Sequence, residues 1–252
     1  MRNNPVTGAG YFLRGIKLAF VPGVRAYVVV PLLVNVVLFS VLIYVGVGQF
    51  RQLLDWLLPE WLDWLTYVLL PLFVVLALII TFFAFSVIGN LIAAPFNGLL
   101  AEAVETHLRG EPMPSGGWRQ LVVDLGRTML GELRKLGYIV LWAIPLLVLF
   151  LVPVLNLVAP FLWLVFSAWM LAISFVDYPM GNHGHDFSEQ RRILRGQRYL
   201  ALGFGGATML ALAIPVLNFI VIPAAVAGAT ALWVEQLAPP AARAQALEEG
   251  KK

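Results

Sequence analysis

From Thr66 to Ala101 the chain carries no charged side chain. As one helix, at about 1.5 Å per residue, that run would be about 54 Å long, far beyond the roughly 30 Å of hydrocarbon in a bilayer. A break or an overshoot is therefore expected, and Gly89-Asn90 and Pro95 are the natural break points. They leave a span over residues 69–88 and a short apolar piece, 91–100, at its exit. A second uncharged run, residues 28–48, measures roughly 30 Å and fits one crossing. With 60% hydrophobic and 12% charged residues and a mean hydropathy of +0.85, the whole chain follows these runs. A water-soluble domain carries about twice that charged fraction. The expected class is an all-α integral membrane protein.

The basic residues set an expected orientation. Of 17 Lys and Arg, only Arg51 falls between the two runs, so by the excess of basic residues on the inner side both termini are expected in the cytoplasm. No cleavable leader is expected at the start. Residues 1–9 read as a loosely ordered polar lead-in. Over 11–21, Phe12, Leu13, Ile16 and Phe20 alternate with Arg14 and Lys17, which predicts an amphipathic helix at the membrane interface; the alternative is a helix packed on the rest of the protein. Trp56, Trp61 and Trp64, interleaved with Asp55, Glu60 and Asp63, suit headgroup level. Residues 99–136 read as cytoplasmic amphipathic helices around a Gly/Pro loop at 110–117. The stripe from Trp118 to Leu136 fits either a functional basic face or a membrane-surface helix.

The final third holds a repeat. Val152-Pro153-Val154-Leu155-Asn156 and Ile214-Pro215-Val216-Leu217-Asn218 each sit mid-way along an apolar segment, and Pro160 and Pro223 follow at similar distances. Two similar helical hairpins are predicted, 137–175 and 199–235, separated by a cytoplasmic loop and helix over 176–198 and followed by a tail, 236–252. Their tips are apolar, which favours re-entrant hairpins broken at proline over four thin crossings. The expected fold is thus two full spanning helices, two re-entrant hairpins and amphipathic interfacial helices in a single membrane domain. Two spans cannot enclose a pore, and the second hairpin is rich in glycine and alanine, so a homo-oligomer is expected.

Little else in the chain bears chemistry. Pro22-Gly23-Val24-Arg25 places one arginine and a flexible glycine at the mouth of the first span. A charge at that edge either snorkels to lipid phosphate or serves a ligand, and a guanidinium fork beside free N–H groups at a helix start makes an oxyanion site. Asn35, inside the first span, suits a pathway or helix–helix contact equally; Asn97 suits a cap or turn. His183, His185 and Asp186, with His107 elsewhere, invite a metal reading, but two histidines two apart share no helical face. Asp186 and Glu189 fit a capping box better, and no metal site is expected. There is no cysteine, phosphate-binding loop or nucleophile elbow. Neither an enzyme nor a cofactor is expected, and nucleic acid is a poor partner because the basic residues hug membrane segments.

Pro22-Gly23-Val24-Arg25 with Pro31-Leu32-Leu33-Val34-Asn35, then Ala93-Ala94-Pro95-Phe96-Asn97-Gly98, Phe166-Ser167-Ala168-Trp169, and Asp177-Tyr178-Pro179 with Asn182-His183, resemble the CysZ family of bacterial sulfate permeases over about residues 8–235. The resemblance implies sulfate uptake across the inner membrane for cysteine biosynthesis, through an oligomer embedded among membrane lipids and without ATP hydrolysis. It implies sulfate binding at Gly23, Val24 and Arg25. Family members often carry a second arginine next, where this chain has Ala26. Two other readings compete: a scaffold or accessory subunit of another transporter, and a membrane-embedded enzyme acting on lipid headgroups.

Overall fold

Local signals at the N-terminus build the first helix. The Asn4 side chain accepts a hydrogen bond from the Val6 N–H at 2.8 Å and Pro5 takes the first helical position, so α1 runs Pro5–Ala19. Asn3 reaches a different helix: its Oδ1 accepts from the N–H groups of Tyr199 and Leu200, both at 3.0 Å. The stretch from Asn3 onward is therefore an anchored start rather than the loose lead-in its polarity suggested.

The computed structural model describes residues 3–110, 118–214 and 217–239; the side chains of 35, 60, 61, 63, 81–95, 118–130, 132 and 219 lie outside the description. After α1 come α2 (Ala26–Leu57), a 3-10 turn (Glu60–Leu65), α3 (Thr66–Arg109), α4 (Trp118–Leu151), a 3-10 turn (Leu155–Leu157), α5 (Ala159–Asn182) and α6 (Phe187–Gly196). Then follow α7 (Arg198–Leu212), α8 (Asn218–Leu232) and a π-turn (Trp233–Leu237), with no strand among the described residues. Four stretches of these, Ala26–Leu57, Leu133–Leu151, Ala159–Asn182 and Ile220–Leu237, are long and apolar enough to cross a bilayer. The chain is an all-α membrane protein.

Two expected boundaries are absent from the backbone. The break at Gly89-Asn90 and Pro95 does not occur: α3 stays helical from Thr66 to Arg109. A membrane helix tolerates an internal proline because neighbouring groups re-satisfy the one freed carbonyl. Likewise α4 joins the amphipathic stretch from Trp118 to the apolar arm ending at Leu151 in one helix. The change near residue 137 is one of composition, and Gly137 alone costs only about 1 kcal/mol in a helix.

The fold gathers into two units, residues 26–96 and residues 1–25 with 97–252. In the first, Phe50 stacks on Phe73 with centroids 4.1 Å apart, and Leu42, Ile43, Gly46, Leu76 and Ile80 line a groove between α2 and α3. Most described side chains of α2 and of α3 up to Ile80 are apolar and exposed, as lipid-facing positions are.

In the second unit α8 is the core, buried almost continuously from Ala224 to Val234. The helix α1 packs on α7 and α8, and α5 packs on the same pair. Close backbone approach makes this possible. A Cβ added to Gly15 would overlap the Ala224 carbonyl, and one added to Gly203 would overlap the Pro5 carbonyl. The small residues of the second hairpin are thus used in packing within the chain. Tyr11 and Phe12 are buried against protein, while Leu13 and Phe20 stay exposed.

The two hairpins differ in surroundings. No residue of Leu133–Leu151 is buried, and α4 hands over to α5 through an apolar, exposed tip that includes Leu151, Val154 and Leu157. Val154 has φ +72°, a strained conformation for a β-branched residue. The second hairpin, α7 and α8, lies largely inside; Pro215-Val216 of its tip falls outside the described residues.

Candidate functional site

The turn between α1 and α2 is made by one carbonyl and one glycine. The Val21 oxygen accepts from the N–H groups of both Val24 and Arg25, each at 3.0 Å. Gly23 has φ +91°, which strains any residue with a Cβ, although the space around it is open. Val24 is 1% exposed and seats the turn, whereas Arg25 is exposed and makes no ion pair among the described residues. The structure therefore brings Gly23, Val24 and Arg25 together, with one correction: the Val24 N–H, expected as a free donor, is held by Val21. Tying the turn off with its own carbonyl is what lets α1 pass directly into α2.

A second polar region, of which the sequence pattern singled out Asn97 and His183 only separately, joins the end of α3 to the end of α5 and the loop after it. Asn97 Nδ2 donates to the Tyr178 hydroxyl at 3.2 Å, and Asn182 Nδ2 donates to the Gly98 carbonyl at 3.0 Å. These two bonds hold α3 against α5. Two turns further along α3, Glu105 is fully buried. Its carboxylate faces Arg109 Nε at 2.7 Å, and both its oxygens lie near His183 Nε2, at 2.9 and 3.0 Å. The residue sits on what reads as the solvated face of an amphipathic helix. The only signal for its burial was the pairing of an acid and a base four residues apart with a histidine-bearing loop elsewhere.

The remaining loop residues find structural partners. Asp186 accepts from the Glu189 N–H at 2.8 Å, and the Glu189 side chain returns to the Asp186 N–H, forming the expected capping box at the start of α6. His185 Nδ1 lies 3.2 Å from Glu189, and the rings of His183 and His185 lie 5.4 and 5.3 Å from that of Trp233. Asp177 accepts from Lys135 Nζ at 2.9 Å and from Gln190 Nε2 at 2.7 Å, tying α4, α5 and α6 together. His107 is exposed at the end of α3 and joins none of these bonds. Among the described residues no group of three or more metal-ligand side chains converges.

In the π-turn that begins at Trp233, Glu235 accepts from the Tyr11 hydroxyl at 2.9 Å and Gln236 donates to it at 3.0 Å, while Arg14 pairs with the same glutamate. Burial pushes the Tyr11 phenol up to about 12. This cluster fixes the helix that leads into the Gly23 turn. Asn35 lies along α2, and its side chain is outside the described residues, as is that of Pro95.

An ionisable residue inside a membrane protein marks a site or a path for a polar solute, because its burial in lipid is otherwise costly. The fold is that of an α-helical membrane protein, with Glu105 buried against protein rather than lipid and Arg25 exposed at the turn into α2. The chain belongs to the family described as Sulfate transporter CysZ/Etoposide-induced protein 2.4, whose model matches residues 11–223. It is 47% identical over 235 residues to the Sulfate transporter CysZ of Pseudomonas fluorescens (strain Pf0-1), covering 92% of this chain and 94% of that one. Identity is 44% to the protein of the same name from Vibrio parahaemolyticus, over 94% and 97% of the two chains. With that of Pectobacterium atrosepticum it is 43%, over 91% and 85%. These relatives are named as transporters, not as enzymes.

Proposed function

We propose that this protein is a sulfate permease of the bacterial inner membrane, admitting sulfate for cysteine biosynthesis without hydrolysing ATP. The observation that carries this reading is identity of 43–47%, across nine tenths of the chain, to proteins named as sulfate transporters. The sulfate site is the Gly23 turn: the Arg25 guanidinium supplies a fork of charged donors, the Gly23 N–H a neutral one, and Val24 anchors the turn by burial. Asn97, bonded to Tyr178, serves structure.

The basic residues favour cytoplasmic termini, with the first hairpin dipping in from that side. By length alone α4 and α5 reach across a bilayer, but a tip of exposed Leu, Val and Phe side chains suits hydrocarbon better than water. Cysteine at Leu155 in this cysteine-free chain should therefore resist an impermeant thiol reagent applied outside, unlike cysteine at Gln52. Equal labelling would place the tip at the outer surface. The groove between α2 and α3 is apolar and offers a dianion no donor, so a path for sulfate needs further copies of the chain, that is, a homo-oligomer.

Sulfate flux into liposomes holding only this protein tests the function. Saturable uptake of labelled sulfate without added nucleotide is the expected result. Absence of flux from correctly folded protein would sink the permease reading and favour a scaffold for another transporter.

A further inference from the structure

The short helix α6 carries a face of arginines that no carboxylate among the described residues neutralises. Phe187, Gln190 and Leu194 turn inward and are buried, which leaves Arg192 and Arg195, three residues apart, on the outer face, with Arg198 just beyond the helix end; all three are exposed. The carboxylates of the same segment are engaged elsewhere. Asp177 takes Lys135 and Gln190, Glu189 takes His185 and the Asp186 N–H, and Asp186 takes the Glu189 N–H and, at 3.8 Å, Arg134.

The surroundings of this face distinguish a lipid surface from bulk water. Arg191, beside it, stacks over Tyr138 of α4 at 4.9 Å and over Phe187 at 5.5 Å, and Arg198 covers Tyr199 at 5.1 Å. Tyr138 leads on to Trp142, its ring neighbour at 6.3 Å. From there α4 continues as a wholly unburied apolar stripe through Val140, Leu141, Ile144 and Leu147. Basic residues, then tyrosine and tryptophan, then bare hydrocarbon is the order in which a protein crosses from headgroups into acyl chains. A solvated arginine face has no reason to end in an exposed aromatic and apolar stripe.

We propose that Arg192, Arg195 and Arg198 form a binding surface for anionic phospholipid headgroups, with Tyr138, Trp142 and Tyr199 seated at the same depth. Three guanidiniums suit the phosphate diesters of several lipids rather than one free anion, because the exposed face offers no enclosure to desolvate a small ion. Attraction of this kind weakens with ionic strength. The surface is separate from the Gly23 turn, so the proposal stands or falls independently of sulfate binding there.

The test follows thermal unfolding of the full chain in a zwitterionic detergent during titration with phosphatidylglycerol, phosphatidylcholine or inorganic phosphate at matched ionic strength. Phosphatidylglycerol should raise the midpoint saturably, and the other two should not. Arg192→Gln/Arg195→Gln/Arg198→Gln should require on the order of a hundredfold more phosphatidylglycerol for the same shift, about fivefold per arginine. If that variant does not purify folded, Arg192→Gln alone should show the roughly fivefold loss. A triple variant, or the single one in its place, that responds like wild type overturns the proposal. So does an equal response to phosphatidylcholine or to phosphate.

Discussion

Gly15 of α1 and Ala224 of α8 meet backbone to backbone: a Cβ on Gly15 would overlap the Ala224 carbonyl oxygen and crowd the Gly228 backbone as well. Neither obstacle is the end of a flexible side chain, so α1 would have to move. Gly15→Ala should destabilise by about 1–3 kcal/mol, as overpacking of a close contact does. Gly10, on the open side of the same helix with nothing within 4 Å, is the control. There alanine should be neutral or stabilising by up to about 1 kcal/mol, through helix propensity alone. Thermal unfolding in detergent separates the two, and equal effects would mean that α1 does not dock on α8.

The same docking predicts a pH dependence. Burial raises the Tyr11 phenol to about 12 from its ordinary 10.0, so the folded state holds this proton more tightly than the unfolded chain. The stabilisation is complete below about pH 10 and is lost as pH climbs through the folded value near 12. Above pH 10 the unfolding midpoint of the wild type should fall more steeply than that of Tyr11→Phe, which has no phenol to ionise. Parallel curves would show that the hydroxyl is free in water, not held between Glu235 and Gln236.

Glu105 should be the most sensitive position in the second unit. Removing its carboxylate by Glu105→Ala takes a counter-charge from Arg109 and a hydrogen-bond partner from His183, and about 3 kcal/mol of stability should go with it. Arg109→Leu should cost less in that variant than in the wild type, since the ion pair is already gone. The double-mutant coupling should be about 1 kcal/mol or larger. Strict additivity, measured by denaturant or thermal unfolding, would mean that the pair does not act as a unit.

What was legible in the sequence, and what was not, divides by physics. An uncharged run such as Val28 to Gly48 announces α2 because lipid tolerates no alternative, and the Asp186–Glu189 box announces α6 because its bonds are local. The break expected at Pro95 failed because each proline of the 44-residue α3, Pro71 and Pro95, is a local penalty outweighed by the bonds on either side. Glu105 was hidden because amphipathic spacing says which residues share a face, not whether that face meets water or His183 across 78 positions of chain. The glycines of the second hairpin read as contacts between copies for a similar reason. A small residue signals close approach of a backbone without naming whose; here Gly203 and Gly228 meet α1 and Gly205 meets α5. At the candidate site the motif around Gly23 was visible, while the capture of the Val24 N–H by Val21 depends on a turn geometry that residue identity does not encode.

Arg25 decides whether the Gly23 turn is a sulfate site or a lipid anchor. A tetrahedral dianion leaves water only where several donors replace it, and here one guanidinium and the Gly23 N–H are the donors at hand. Arg25→Ala should weaken sulfate binding by about 1.5 to 3 kcal/mol, on the order of tenfold to a hundredfold, the worth of a hydrogen bond to a charged group. Arg25→Lys should fall between, since lysine keeps the charge and loses the fork. Ala26→Arg should tighten binding, because a second guanidinium beside the first shares the charge of one anion. An arginine that only snorkels to lipid gives a different pattern: lysine serves as well, and alanine disturbs insertion while the folded fraction binds sulfate unchanged. Calorimetric titration of sulfate into wild type, Arg25→Lys and Arg25→Ala, each confirmed folded, reads the difference directly. Three equal affinities would remove Arg25 from the site and leave it a lipid anchor.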